Sequence, residues 1–254
     1  RAWVPVVAGT LRGDRDGPTV LLTGHVDVVP PGHYGHWTHD PFSGITVGDR
    51  VYGRGTSDMK AGLVAALEAF TAFAGKERDF PGRVVFIAVP AEEDSGLGTL
   101  AAIRRGWRAD AVIIPEPTVE HGVPKLVIAQ AGAMSFRLDV PGRGAHASMR
   151  LLGENALDHF LTLYRAIRED ERRINAAESH PLMAELGLPY ASSVGIVAGG
   201  DHSSSVIDRL HAEVRVGIRL GETIAEAEAR FRAVLDDCAR QDRWLSRNPP
   251  HVER

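Results

Sequence analysis

The sequence predicts an α/β protein in two parts: a doubly wound, mainly parallel sheet, then a smaller α+β unit of ferredoxin-like order. Three observations predict it. Short runs that are apolar on both faces recur in the first half, as buried parallel strands require. Segments with helical apolar spacing lie between them, which is the alternation of an α/β sheet. The second half changes pattern and reads β-α-β-β-α, one strand short of a ferredoxin-like unit.

In chain order, residues 19–23 form the first apolar run after Gly17-Pro18, and residues 83–89 the second after Pro81-Gly82. Residues 111–114 form the third. Between the first two, residues 60–74 place Leu63, Leu67, Phe70 and Phe73 on one helical face. Residues 135–140 alternate like a half-buried strand, and Pro141-Gly142-Arg143-Gly144 breaks it. Residues 154–177 form a long helix with Leu157, Leu161, Tyr164 and Ile167 on its apolar side. Residues 191–197 and 210–220 read as strands and 222–239 as a second helix. The domain boundary falls near Gly132, giving parts 1–131 and 132–254, and the missing strand is expected at or beyond the C-terminus.

Composition is that of ordinary globular material, 44% hydrophobic and 24% charged. A net charge of −4 gives no sign of a nucleic-acid or anionic-membrane partner. The single cysteine, Cys238, cannot form an internal disulfide, which fits a reducing, cytoplasmic setting. No apolar run is long enough to span a bilayer and no signal peptide precedes the first strand. The chain begins at Arg1 and closes on Asn248-Pro249-Pro250-His251, so it reads as cut at both ends.

The residues after each strand of the first part carry the chemistry. Gly24-His25-Val26-Asp27 follows the first run, Pro90-Ala91-Glu92-Glu93-Asp94 the second, and Pro115-Glu116-Pro117 the third. Asp58 lies between the Gly53-Arg54-Gly55 turn and the helix that begins near Lys60. In open α/β sheets, ligands bind outside the carboxyl ends of the strands, so these groups converge. Four or five carboxylates in one crevice repel one another unless a cation joins them. Carboxylate and imidazole without thiolate suit zinc or a similar metal. So many acids around one histidine suggest two ions sharing a bridging carboxylate, roughly 3.5–4 Å apart as in two-metal hydrolases. Each element alone has a plainer reading: His25 as a loop histidine, Glu92-Glu93 as a helix start, Asp58 as an N-cap, Glu116 as a surface turn. Those readings must hold at every one of these places at once. His33, His36 and His39 lie in a Pro/Gly-rich loop with no helix to align them and read as a solvated rim. There is no phosphate loop, no zincin motif and no Gly-x-Ser-x-Gly elbow.

Taken together, Gly24-His25-Val26-Asp27-Val28-Val29-Pro30, Tyr52-Gly53-Arg54-Gly55-Thr56-Ser57-Asp58-Met59-Lys60-Ala61-Gly62, Glu92-Glu93-Asp94-Ser95-Gly96 and Pro115-Glu116-Pro117-Thr118 resemble the M20 metallopeptidase family. That family includes acetylornithine deacetylases, succinyl-diaminopimelate desuccinylases, aminoacylases and carboxypeptidases. The resemblance implies two Zn2+ ions, with Co2+ or Mn2+ as substitutes. His25 and Glu116 would ligate one ion and Glu93 the other, and Asp58 would bridge both and precede a cis peptide. Asp27 would accept a hydrogen bond from the second nitrogen of His25, and Glu92 would be the general acid/base acting on a water between the ions. The second part resembles the family's smaller lid, or dimerisation, domain. Its motif Gly142-Arg143-Gly144-Ala145-His146-Ala147-Ser148 implies a catalytic His146, which in dimeric members reaches the partner's site.

The implied activity is removal of an acyl group from an N-acyl amino acid. A dipeptidase, aminopeptidase or carboxypeptidase on the same scaffold is the alternative, and an inactive metal-binding fragment the alternative of another class. The implied partners are a small acyl amino acid or short peptide and a second copy of the chain through the lid. Three departures stand out. The family's further histidine ligand has no counterpart here, since His251 lies in the wrong context. Ser204-Ser205-Val206-Ile207-Asp208 stands where Asn-Val-Val-Pro-Asp is frequent, which leaves Ser204 as the substrate-contacting candidate. Gly217-Ile218-Arg219 stands for Asp-x-Arg, which keeps Arg219 as a candidate for a substrate carboxylate.

Overall fold

The structure is a computed structural model that describes residues 5–75, 79–120, 123–127 and 130–254. It divides into two compact units, 1–127 and 128–254. Among the described residues, no helix is long and apolar enough to cross a membrane.

The first unit runs β1 (Val7–Arg12), β2 (Arg15–His25), a small hairpin of β3 (Ile45–Val47) and β4 (Arg50–Tyr52), then α1 (Ala61–Ala74), β5 (Pro81–Val89), α2 (Leu97–Arg104) and β6 (Ala111–Ile113). A two-residue hairpin, β7 (Val119–Glu120) and β8 (Val123–Pro124), follows. The main sheet has the order β1-β5-β2-β6. Strands β5, β2 and β6 are parallel, and β1 lies antiparallel on the free edge of β5. Strand β5 is apolar on both faces because a helix covers each. Phe86 meets Phe70 of α1, with ring centroids 5.9 Å apart. Its alternating neighbours Val85, Ile87 and Val89 pack with Ala102 of α2.

The edge strand β1 carried no clear signal in the sequence, and two expectations are corrected here. Of the α1 face, Leu63 and Phe70 turn inward, while Leu67 and Phe73 are exposed and Ala66 is the buried residue. The third apolar run is an exposed edge rather than a buried strand: Val112 is 51% and Ile113 54% exposed. Among the described residues β6 pairs with β2 alone, and the helices pack on β2 and β5.

The second unit runs β9 (Gly132–Pro141), α3 (Ala156–Ala176), a single turn α4 (Pro181–Ala184), β10 (Ser193–Gly199), β11 (Arg209–Ile218), α5 (Ile224–Gln241) and β12 (His251–Glu253). Its sheet is wholly antiparallel in the order β10-β11-β9-β12. The strand expected at or beyond the C-terminus is therefore present as β12. Alternation along β9 and β11 turns Phe136, Leu138, Val140, Leu210, Ala212, Val214 and Val216 to one face, under Phe160 and Leu163 of α3 and Phe231 and Leu235 of α5. Thr223 and Glu226 form a capping box that starts α5. The buried stripe of α3 is rotated from the expected one. It holds Ala156, His159, Phe160, Leu163 and Ile167, while Leu161 is exposed.

Candidate metal centre

Parallel register builds the centre. Strand β2 ends at His25, which pairs with Val89, so the turn after β5 starts beside it. On the other side Leu22 pairs with Ile113, and the same offset carried three residues on sets Glu116 level with His25. Hydrogen bonds between Thr19 and Asp110, at 2.7 and 2.9 Å, fix that register at the strand starts. Asp58 arrives from a third direction. Gly55, in a left-handed conformation (φ 84°), turns the chain, and Asp58 itself is extended. The peptide bond between Asp58 and Met59 is cis.

Met59 is fully buried, and its sulfur accepts the His25 backbone N–H at 3.2 Å. Lys60 Nζ donates to the Val26 carbonyl at 2.8 Å. The Asp58 segment is thus fastened to the end of β2 from two sides. Two glycines permit the close approach. A Cβ on Gly24 would meet Met59 Cε at 2.6 Å, and one on Gly62 would meet the Pro115 carbonyl oxygen at 1.9 Å. The sequence offered one sign of the second: a glycine inside a helical pattern costs up to about 1 kcal/mol relative to alanine and calls for a packing reason.

His25 is 1% exposed. Its Nδ1 lies 2.9 Å from the Asp27 carbonyl oxygen and donates to it. That leaves Nε2 facing Asp58 Oδ1 at 3.2 Å and Glu116 Oε1 at 3.6 Å. Ligand atoms of His25, Asp58 and Glu116 all lie within 4.8 Å of one another. Burial works against a charged His25, yet the Asp27 carbonyl, Asp58, Glu116 and Glu92 together hold its pKa above the usual value. Burial, helped by the charges of Asp58 and Glu92 against the opposing pull of His25, raises Glu116 to about 7. Both shifts favour protons on these groups while no cation joins them.

Asp27 accepts the hydrogen bond from the second nitrogen of His25, but through its main chain. Its backbone carbonyl, not its carboxylate, holds His25; the carboxylate is 3.7 Å from Nδ1. The carboxylate instead accepts the backbone N–H groups of Glu92 and Glu93 at 3.2 and 3.1 Å. A carboxylate satisfied by two amides of the next strand's turn is better engaged there than on one imidazole. Asp27 thereby ties the Glu92-Glu93 turn to the His25 loop. Glu92 is exposed and close enough for its charge to act on both His25 and Glu116. Glu93 lies outside the three-residue group. Its Oε1 is buried without a hydrogen-bond partner among the described residues, and it lines, with Asp27, a cleft of about 1060 Å3.

These residues fit a divalent cation. An imidazole nitrogen and carboxylate oxygens form a zinc-type donor set. Asp58 and Glu116 stay partly open to solvent, 54% and 31% by side chain, so an ion can enter. Among the described residues, nothing satisfies the acceptor Glu93 Oε1. Because ligands must be deprotonated, binding expels the Glu116 proton. Zinc affinity is therefore expected to rise with pH through about 7, with proton release largest below that value. Calorimetry in buffers of different ionisation enthalpy measures it. In the metal-free chain the folded state keeps this proton between the ordinary 4.5 and about 7, where the unfolded chain has lost it. Its stability thus falls as pH rises through that window.

His146 and Ser204 belong to the second unit. His146 is exposed and caps a short 3-10 turn, with Nδ1 3.2 Å from the Ser148 backbone nitrogen and 2.8 Å from Ser148 Oγ. The Ser204 carbonyl accepts the Ala147 N–H at 2.8 Å, so the two loops are joined. Arg219 is not with them. They lie past the Pro141–Arg209 end of the sheet, and Arg219 follows Ile218 at the other. Ten residues of β11 separate them, about 30 Å at strand rise. Its backbone N–H donates to Glu222 at 2.9 Å, and its charge helps hold the Glu222 carboxyl below its usual value, after burial, which opposes, and Arg230. The His33 and His36 rings lie tilted against each other, with centroids 5.0 Å apart, on the loop after β2, and both are exposed.

The profile of peptidase family M20/M25/M40 matches residues 21–250. A succinyl-diaminopimelate desuccinylase of Methylorubrum extorquens is 36% identical over 161 residues, 61% of this chain and 42% of that protein. An N-formyl-4-amino-5-aminomethyl-2-methylpyrimidine deformylase of Bacillus subtilis is 27% identical over 255 residues, 97% of this chain and 59% of that one. The chain thus spans about half the length of the curated relatives it matches. In fold it is similar to the M20 family metallo-carboxypeptidase Sso-CP2 of Sulfolobus solfataricus, with a TM-score of 0.70 at 20% identity over 92% of this chain and 64% of that one. Human carnosine dipeptidase 1 gives 0.68 at 18% identity over 98% and 63%. A family profile that covers most of the chain places it: the protein belongs to peptidase family M20/M25/M40.

Proposed function

We propose that the protein is a metal-dependent amide hydrolase that removes the acyl group from an N-acyl amino acid. The observation that carries this is the grouping of His25, Asp58 and Glu116 ligand atoms within 4.8 Å. The unsatisfied Glu93 Oε1 beside the same strand ends supports a second ion. His25 and Glu116 would hold one zinc, Glu93 the other, and Asp58 would lie between them. Such ions would supply Lewis acidity and lower the pKa of a water toward about 7.

The chain's own residues do the rest. Glu92 stands free on a turn that Asp27 holds by two amides, so it can accept a proton from the attacking water. It then delivers that proton to the departing amine, which leaves poorly without one. When His146 Nδ1 accepts from the Ser148 amide, the ring proton sits on Nε2. A neutral His146 then offers an N–H to the oxygen that gains charge as the carbonyl is attacked. The second unit's β-α-β-β-α-β succession supports a ferredoxin-like lid, with Ser204 beside His146 as a substrate contact and a homodimer through the lid. The single thiol Cys238 suits a cytoplasmic setting. Both curated relatives are named for removing an acyl group, succinyl in one and formyl in the other, which favours a deacylase over a peptidase.

The test offers N-acetyl and N-succinyl amino acids and a panel of dipeptides to the full-length protein loaded with zinc or cobalt. Amine release from the acyl amino acids is expected, abolished by chelation and restored by metal at near two ions per chain. Cleavage of dipeptides alone would replace the deacylase reading by the peptidase one.

A further inference from the structure

His159 lies in the first turn of α3 and is 9% exposed. No step of the proposed reaction uses it. Its ring stacks on Trp244, with centroids 6.4 Å apart and planes 17° from parallel. Nδ1 lies 3.2 Å from Asp242 Oδ2, and Nε2 lies 3.5 Å from Glu154 Oε2, too far to count as a full hydrogen bond. Asp242 is held in turn by the backbone N–H groups of Trp244 and Leu245, both at 2.8 Å.

Those partners converge on the base of one loop. Arg143 and Glu154 exchange backbone hydrogen bonds at 2.8 and 2.9 Å, which closes the segment 144–153 that carries His146. Trp244 grips the same closure: its Nε1 donates to the Pro141 carbonyl at 3.0 Å, and the Arg143 guanidinium lies 5.5 Å over its ring. A buried imidazole on the apolar face of a helix costs stability relative to a hydrocarbon that fills the space. What it supplies is a hydrogen bond to Asp242 with its other nitrogen turned toward Glu154, a placement no hydrocarbon can make.

We propose that His159 is a positioning residue for His146, bracing the Arg143–Glu154 closure from beneath. This rests on the catalytic reading of His146. A catalytic group must be held to a fraction of an ångström, and a 1 Å misplacement can cost about 100-fold in rate.

Three substitutions in the full-length protein separate the links. In H159Q the amide reaches the Nε2 position and keeps Glu154. In H159N it reaches the Nδ1 position and keeps Asp242. H159F keeps only the stack on Trp244. The brace predicts that H159F and H159N lower kcat about 10- to 100-fold with little change in KM, and that H159Q restores most of it. Hydrogen exchange at the Ser148 amide, which donates to His146 Nδ1, reads the placement without any substrate. It should quicken in H159F and H159N and stay near wild type in H159Q. Equal kcat in H159Q and H159N, or unchanged Ser148 exchange in H159F, would overturn the brace. Should H159F not fold, E154A removes the other partner and carries the same exchange test, and unchanged exchange there overturns it equally. An H146A protein with undiminished kcat would overturn the catalytic reading of His146, while Ser148 exchange in the His159 series still decides the brace.

Discussion

Glu92→Ala is expected to retain its metal and lose about two to four orders of magnitude in kcat, the usual worth of general acid–base catalysis. The geometry separates Glu92 from the ligands on either side of the same crevice. His25, Asp58 and Glu116 have their donor atoms together, and Glu93 turns a buried oxygen inward. Glu92 is exposed, and Asp27 engages only its backbone N–H, so its carboxylate remains available. Removing an exposed carboxylate leaves the donor set intact but removes the group that ferries the proton. Glu92→Gln should behave alike, because the amide fills the space without accepting a proton from water. Glu93→Ala and Glu116→Ala should instead lose metal. Metal content by atomic emission, measured beside kcat on the same preparations, tells the cases apart. A Glu92→Ala protein that emerges metal-poor would make Glu92 a ligand and leave the proton transfer without an owner.

Much of this centre was legible in the sequence because parallel strands end at one edge of a sheet. Once residues 19–23, 83–89 and 111–114 read as strands, register alone brings His25, Glu92-Glu93 and Glu116 to a common edge. Local patterning also carried the second unit, where strict alternation in β9 and a capping box at α5 leave little choice. What stayed hidden depends on three-dimensional contact. Nothing in the chain's pattern separates the Asp27 carbonyl from its carboxylate as the partner of His25. Nor does it reveal that Met59 sulfur accepts the His25 amide. Helical periodicity places α3's apolar face only to within one residue's rotation, so a polar residue such as His159 escapes notice until Trp244 is seen against it. Arg219 stands apart from His146 and Ser204 for a related reason: a motif match carries no information about which end of a ten-residue strand a residue follows.

Gly62→Ala should damage the centre without touching any ligand. Alanine favours an exposed helix interior by about 1 kcal/mol over glycine, so propensity alone predicts a gain. Contact predicts the opposite, and the distance decides. A Cβ at position 62 would fall 1.9 Å from the Pro115 carbonyl oxygen and 2.9 Å from its carbon. Both are backbone atoms, so neither can swing aside. Either α1 or the segment leading to Glu116 must move, and each carries a ligand: Asp58 lies just ahead of α1, and Glu116 follows Pro115 directly. Overpacking of this kind costs typically 1–3 kcal/mol, which exceeds the propensity gain. The expected result is a lower Tm and zinc binding weaker by about 10- to 100-fold, the scale seen when the groups that orient metal ligands are disturbed. Gly75→Ala at the other end of α1 is the control. That residue has φ −77°, and its Cβ would meet nothing nearer than 3.8 Å, so it should be neutral or slightly stabilising and leave zinc affinity alone. Thermal scans with and without zinc, together with competition against a chromogenic chelator, measure both quantities. Wild-type zinc affinity in Gly62→Ala would mean that the approach of α1 to Pro115 does not set the spacing of Asp58 and Glu116.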